Sequence, residues 1–202
     1  MTRRRVTCPV RGVALLAALT LAAVACAPGT PAADPAAGEP SQESTPMAAA
    51  TSFPAGFDLT SSSFATGAPI PAEHSCRGAD VSPPLAWRGT PAGAAALVLF
   101  VDDPDGRDWV HWSVLDLPAA DGELPQGVTP AAEPPQQGRN DFGRVGYGGP
   151  CPPSGTHHYR FTLYALAAPL GLAGHPDGTA VRAALSSAAI LGKATLVGTF
   201  RA

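Results

Sequence analysis

The chain has 202 residues, 45% hydrophobic and only 14% charged, with 22 glycines and 23 prolines. That length suffices for one domain with a real core, and the formal net charge of -3 offers no basic patch of the kind nucleic-acid binding needs. The charge is also uneven: Arg3, Arg4, Arg5 and Arg11 precede the first apolar run, and beyond residue 25 only 9 basic residues face 16 acidic ones.

Gly12 to Ala25, GVALLAALTLAAVA, is a continuous small and apolar segment of 14 residues. It is too short for a relaxed membrane span and fits the core of a signal peptide. The following segment LAAVAC resembles a bacterial lipobox, with Ala23 where that pattern prefers Leu, Val or Ile. Residues 1–25 are therefore expected to be a signal peptide of lipoprotein type, with lipid placed on Cys26. Secretion after an ordinary cut at Ala25, or retention of the segment as an anchor, are the alternatives. Cys8 leaves with the signal, and lipid on Cys26 leaves Cys76 and Cys151 as either a candidate disulfide or two free thiols. Residues 26–52 carry no hydrophobic period and are rich in Pro, Ala, Ser and Glu, so they read as a disordered tether.

The folded domain is expected over residues 53–202. Phe57, Leu59 and Phe64 suggest a first short strand and its return. Pro83 and Pro84 preclude a helix and lead into a strand at Leu85 to Trp87. Ala94 to Val101, AAALVLFV, is apolar throughout and of strand length, which marks a central strand. It runs into DDPDGRD, a turn with four aspartates in seven residues, more than backbone capping requires. Trp109 to Leu117 follows as a strand. Strict alternation puts Trp109, His111 and Ser113 on one face and Val110, Trp112 and Val114 on the other. Residues 118–138, with five prolines, read as loop. Arg139 to Gly155 reads as a rigid Gly/Pro loop, and the strand after it puts His157, Tyr159, Phe161, Leu163 and Ala165 on one face. A helix is expected over Asp177 to Leu191, capped by Asp177 or Thr179, and a last strand over Thr195 to Phe200. Mostly strands with one late helix points to a mainly β, α+β domain on an antiparallel or mixed sheet.

Two strands thus carry polar groups at their mouths: His111 beside the Asp-rich turn, and His157 with Tyr159 beside the Gly/Pro loop. Imidazoles, a phenol and loop amides can hold a phosphate or carboxylate, and Asp103 could orient a histidine. No His-x-x-x-His or Cys-x-x-Cys spacing argues for a metal, and no cofactor motif is present. Catalysis finds little support. There is no Gly-x-Ser-x-Gly and no P-loop, and Ser154 sits in a turn.

The blocks SPPLAW (82–87), DDPDGRDWVHW (102–112), GRNDFGRVGYGGPCPPSG (138–155) and HHYRFTLYAL (157–166) resemble, in order and spacing, the phosphatidylethanolamine-binding protein family in its bacterial branch. The resemblance implies a large central β-sheet, a second small sheet, peripheral helices and an anion pocket at one end. It assigns Asp103, His111, His157 and Tyr159 to that pocket, with Asp105, Arg107, Gly149, Pro150 and Pro152 in support. It implies binding of phosphate, a phospholipid headgroup or a small carboxylate. Three positions depart from the pattern. Gly106-Arg107 replaces Ala-Pro, His158 replaces Arg, and Ala188-Ala189 stands where relatives often carry Gly-His.

The leading expectation is an extracytoplasmic anion-binding protein held at the membrane by lipid on Cys26, with no nucleic-acid partner. A protease or kinase inhibitor acting through loop 118–138, and a hydrolase using Asp103 with His111 or His157, are the alternatives.

Overall fold

The apolar run after Gly93 forms the middle of the larger sheet, and the rest of the architecture follows from what pairs with it. The structure is a computed structural model that describes residue 53 and residues 55–130 and 134–202. The signal segment, Cys26 and the tether lie outside the described residues. Strands β1 (Asp58–Thr60), β2 (Leu85–Arg88), β3 (Ala96–Asp103), β4 (Trp109–Leu117), β5 (Gly122–Leu124), β6 (Gln136–Gln137), β7 (Thr156–Leu166) and β8 (Ile190–Arg201) form two sheets. The larger runs β6-β4-β3-β7-β8 and the smaller β1-β2-β5, and every named pairing is antiparallel. Among the described residues one α-helix, α1 (Gly178–Ser187), accompanies them. The expected two-sheet, mainly β fold is the observed one, with one α-helix and two short 3-10 turns among the described residues where the resemblance implied peripheral helices.

All eight residues of β3 are buried, as its unbroken hydrophobicity requires of a strand covered on both faces. Leu97, Leu99 and Val101 point into the core between the two sheets, with Trp112, Phe161, Leu163, Leu85 and Trp87. Val98 and Phe100 point the other way, toward Val181 and Leu185 of α1. β7 obeys period two as read: Tyr159, Phe161, Leu163 and Ala165 all enter the inter-sheet core. Asp177 caps α1, its Oδ1 accepting from the Ala180 N–H at 2.8 Å.

Four expectations need correction. β3 runs two residues further than its apolar run, because Asp102 stays in register with Arg160 of β7 and Asp103 with Trp109. Residues 118–138 are not loop throughout. They contain β5, which pairs with β2, and β6, which pairs with β4. The helix ends at Ser187 and the last strand begins at Ile190 rather than Thr195. Pairing Ile190 through Arg201 with β7 satisfies the backbone of a long strand that would otherwise be an open edge.

The fourth correction bears on the site. Strict alternation along β4 fails at His111. Val101 pairs with Trp112 and Asp102 with Val110, leaving His111 as the extra residue of a β-bulge. The bulge sends Val110 toward α1 and Trp112 into the inter-sheet core. His111 comes to lie edge-on against Tyr159, with ring centroids 5.0 Å apart. A regular strand would have put His111 and Trp112 on opposite faces.

Candidate functional site

The acidic turn is a distribution point for four carboxylates. Asp102 is 2% exposed and turns to the helix side of the sheet. There it accepts two hydrogen bonds from Arg160, at 2.9 and 2.7 Å, and one from Arg182 at 3.3 Å. Asp103, one residue on, turns the other way. Its Oδ1 accepts from the Gly106 N–H at 2.9 Å, closing the 3-10 turn Pro104–Gly106. Its Oδ2 accepts from His157 Nδ1 at 2.7 Å. Asp105 accepts from both the N–H and Nδ1 of His158, each at 2.8 Å. Those hydrogen bonds hold the Asp105 carboxyl below its usual range. His158, which stands where the family pattern prefers Arg, is thus tied to Asp105 by both its backbone and its ring. Asp108 offers its carbonyl to Arg182 at 2.8 Å.

Arg107 and Asp108 both take left-handed backbone, with φ of 61° and 57°. Two consecutive non-glycine residues there cost about 1 kcal/mol or more each. The contacts of Asp103 and Arg182 on either side hold the strained turn in place.

The second wall is the Gly/Pro loop. Gly148 donates its N–H to the His111 carbonyl at 2.9 Å, and its own carbonyl accepts from His111 Nδ1 at 2.6 Å. A carbonyl can only accept, so Nδ1 carries the proton. Burial lowers the proton affinity of His111, outweighing that bond and the Asp103 carboxylate. The ring is therefore neutral near pH 7 and Nε2 is an acceptor. The loop is laced to residues 74–80. Tyr147 Oη donates to the His74 carbonyl at 2.7 Å, and the Gly149 N–H donates to Asp80 Oδ1 at 2.6 Å. The Cys76 N–H donates to the Pro150 carbonyl at 3.1 Å. Any side chain at Gly149 would collide with the His74 carbonyl. Cys76 and Cys151 form a disulfide, with Cα atoms 5.5 Å apart, so the thiol alternative is excluded.

Between these walls lies a cleft of about 510 Å³ lined by Asp103, Asp105, Gly106, Arg107, Trp109, His111, Phe142, Cys151, Pro152, Pro153, His157 and Tyr159. All four expected pocket residues meet there. Of the five supporting residues, Asp105, Arg107 and Pro152 line the cleft, whereas Gly149 and Pro150 shape the loop behind it. Tyr159 is 1% exposed, and its hydroxyl is sealed beside the Asp103 carboxylate and the Cys151 backbone, with no described residue in full hydrogen-bond geometry to it. Burial, then the Asp103 carboxylate, pushes its ionisation well above the ordinary tyrosine range, so it is a phenol donor. Trp109 and Phe142 escaped sequence reasoning as site residues. Phe142 sits in a loop with no period, and Trp109 read as an ordinary strand position.

A model of the family described as phosphatidylethanolamine-binding protein matches residues 60–201. The protein named "Putative lipoprotein LppC" of Mycobacterium tuberculosis is 50% identical over 165 residues, 78% of this chain and 80% of its own length. A protein named UPF0098 of Methanothermobacter thermautotrophicus is 42% identical over 137 residues, 65% of this chain and 90% of its own. The crystal structure of E. coli YbcL, described as a new member of the mammalian PEBP family, covers 73% of this chain and 99% of its own. It aligns with a TM-score of 0.68 at 33% identity. The chain belongs to the phosphatidylethanolamine-binding protein family.

Proposed function

We propose that the cleft binds a small anion of phosphate, phospholipid-headgroup or carboxylate type, and that the protein acts by binding. The observation that carries this reading is unused hydrogen-bonding capacity converging on one cleft. The Tyr159 hydroxyl has no hydrogen-bond partner in good geometry among the described residues. His111 and His157 each spend Nδ1 on the protein, on Gly148 and Asp103, and neither Nε2 bonds to a described residue. Of these groups only the Tyr159 hydroxyl is buried and unpaired among the described residues; such a group is costly to leave unpaired, and a ligand that reached past the imidazoles to pair it would remove that cost.

The protonation pattern narrows the ligand. Neutral His111 presents an acceptor, Tyr159 a donor, and Asp103 already places one negative charge beside the site. A fully ionised anion fits poorly next to that carboxylate unless an imidazole takes up a proton. A phosphate monoanion fits better, because its P–OH can donate to Nε2 while its other oxygens accept. Phosphate or phosphorylethanolamine at millimolar concentration should shift the imidazole resonances of His111 and His157. Two unmoved imidazoles at that concentration end this reading. His157→Ala should weaken binding by roughly 1–3 kcal/mol.

The hydrolase alternative draws on one observation, the 2.7 Å contact between His157 Nδ1 and Asp103, which could orient an imidazole as general base toward water. Product beyond one equivalent, lost in His157→Ala, would promote it over simple binding.

We place the protein outside the cytoplasm, held by lipid on Cys26 and lifted from the membrane by the tether 26–52. The apolar core at 12–25, the lipobox-like LAAVAC and the lipoprotein name borne by the M. tuberculosis relative support this. Cys26→Ser should move the protein from the membrane fraction to the soluble or secreted fraction. Membrane retention of that variant counts against lipid anchoring.

A further inference from the structure

Arg107 is an exposed cation on the lip of the cleft. Its backbone is left-handed, with φ of 61°, a conformation that glycine takes freely and a residue with a long side chain does not. The turn is held on both sides and cannot relax to relieve it. Before it, the Gly106 N–H is bonded to Asp103, and after it, the Asp108 carbonyl accepts from Arg182. A non-glycine residue kept in strained backbone beside a cleft points to a use for its side chain.

The charges around it are otherwise matched. Asp103 is bonded to His157 and Asp105 to His158. Behind the sheet, Asp102 and Asp108 face Arg160, and Asp102 also faces Arg182. Among the described residues Arg107 enters no ion pair and no side-chain hydrogen bond, so its guanidinium is a formal charge at the mouth without a counter-ion. The cleft of about 510 Å³ is larger than a single oxyanion needs, which leaves room between floor and lip for a second group.

We infer that Arg107 is a specificity residue for a second anionic group, so that the cleft takes a phosphate monoester that also carries a carboxylate. This rests on the anion reading proposed above. The phosphate belongs to the floor, with Tyr159 and His111, and the carboxylate to the lip. Guanidinium and carboxylate match as a planar pair joined by two hydrogen bonds. The ester is a free one rather than a lipid headgroup. A monoester keeps the P–OH that can donate to His111 Nε2, and a phosphodiester headgroup has none.

Calorimetric titration of the disulfide-bonded protein at low ionic strength compares phosphoserine with phosphorylethanolamine, which differ by one carboxylate. Phosphoserine should bind roughly 3- to 5-fold tighter, against the repulsion of Asp103 and Asp105, and the margin should narrow in about 0.5 M salt. In Arg107→Gly and in Arg107→Gln the ratio should fall to one or below, and Arg107→Lys should keep part of it. Glycine suits the left-handed backbone, and a thermal melt checks that each variant folds. Equal affinities in the unaltered protein, or a preference that survives both neutral substitutions, overturn the second-charge subsite and leave anion binding intact. Glycerophosphoserine, the diester headgroup without its chains, should bind more weakly than phosphoserine, and equal or tighter binding overturns the monoester assignment. If phosphoserine, phosphorylethanolamine and inorganic phosphate all fail to bind, the anion reading itself falls, and the subsite with it.

Discussion

Removing one oxygen atom from the floor of the cleft should move stability and binding in opposite directions. In Tyr159→Phe the ring keeps its edge contact with His111 at 5.0 Å and its place in the inter-sheet core. What disappears is a hydroxyl that is buried and unpartnered among the described residues. Leaving such a group unsatisfied costs about 1–3 kcal/mol. The ligand-free variant should therefore be more stable by about 1 kcal/mol, which for a domain of this size raises Tm by about 2–4 °C. The phenol is also a proton donor on the cleft floor whose ionisation lies far above neutrality. Its loss should weaken phosphate binding about tenfold, or about 1.4 kcal/mol. Urea denaturation gives the first quantity and calorimetric titration the second. Destabilisation of 1 kcal/mol or more would show that the hydroxyl is bonded in the free protein, and the argument from unused capacity would fail. Unchanged affinity would remove Tyr159 from the site.

Three further outcomes follow from the same geometry. His111 is depressed in the folded state by burial, so the unfolded chain binds its proton first as pH falls. Its contribution is fully present above the unfolded value of about 6.5 and is lost as pH drops toward the lower folded value. The stability difference between the unaltered protein and His111→Asn, measured in urea from pH 8 to pH 5, should shrink across that window, and a flat difference refutes the assignment. The Cys76–Cys151 disulfide closes a 75-residue separation, so Cys76→Ser/Cys151→Ser should cost about 4 kcal/mol in the chain-entropy account; a loss below 1 kcal/mol would mean the hydrogen bonds of residues 147–150 hold the loop unaided. Asp102→Asn breaks charge-assisted bonds to two arginines that remain about 40% exposed. Solvent compensates those arginines in part, so a loss of about 2–3 kcal/mol is expected rather than the larger cost of stranding a buried charge, and equal stability would show the network to be idle.

Period two made β7 legible. Every second residue from Tyr159 to Ala165 is apolar and buried, so the strand, its face and the direction of His157 could be read without coordinates. β4 could not be read in the same way. Its bulge at His111 breaks the period without a glycine or proline to mark it, because the cause lies in how β3 and β4 pair and not in β4 alone. The helix boundary was obscured for a different reason. Ile190 and Leu191 extend an apolar spacing that suits either element, and only the length of β7 decides in favour of a strand. Cysteine parity suggested the Cys76–Cys151 pair, yet the loop contacts that bring the two together span residues 74–80 and 147–151, which no local pattern connects.

The aspartates carry the division of labour furthest. Counting four in one turn indicated a surplus over backbone needs but could not say which acid does what. The strand supplies the answer. Consecutive residues of an extended chain face opposite sides, so Asp102 faces the arginines behind the sheet while Asp103 faces the cleft. Each neighbouring acid is then fixed by a partner on β7: Arg160 for Asp102, His157 for Asp103 and His158 for Asp105. One β3–β7 register therefore does two things at once. It neutralises a buried carboxylate on the helix side, and it aims an imidazole–carboxylate pair into the cleft. A slip of one residue would bury an unpaired acid on one face and empty the site on the other. The stability of the sheet and the geometry of the proposed anion site are for that reason set by the same run of β7, Thr156 to Arg160.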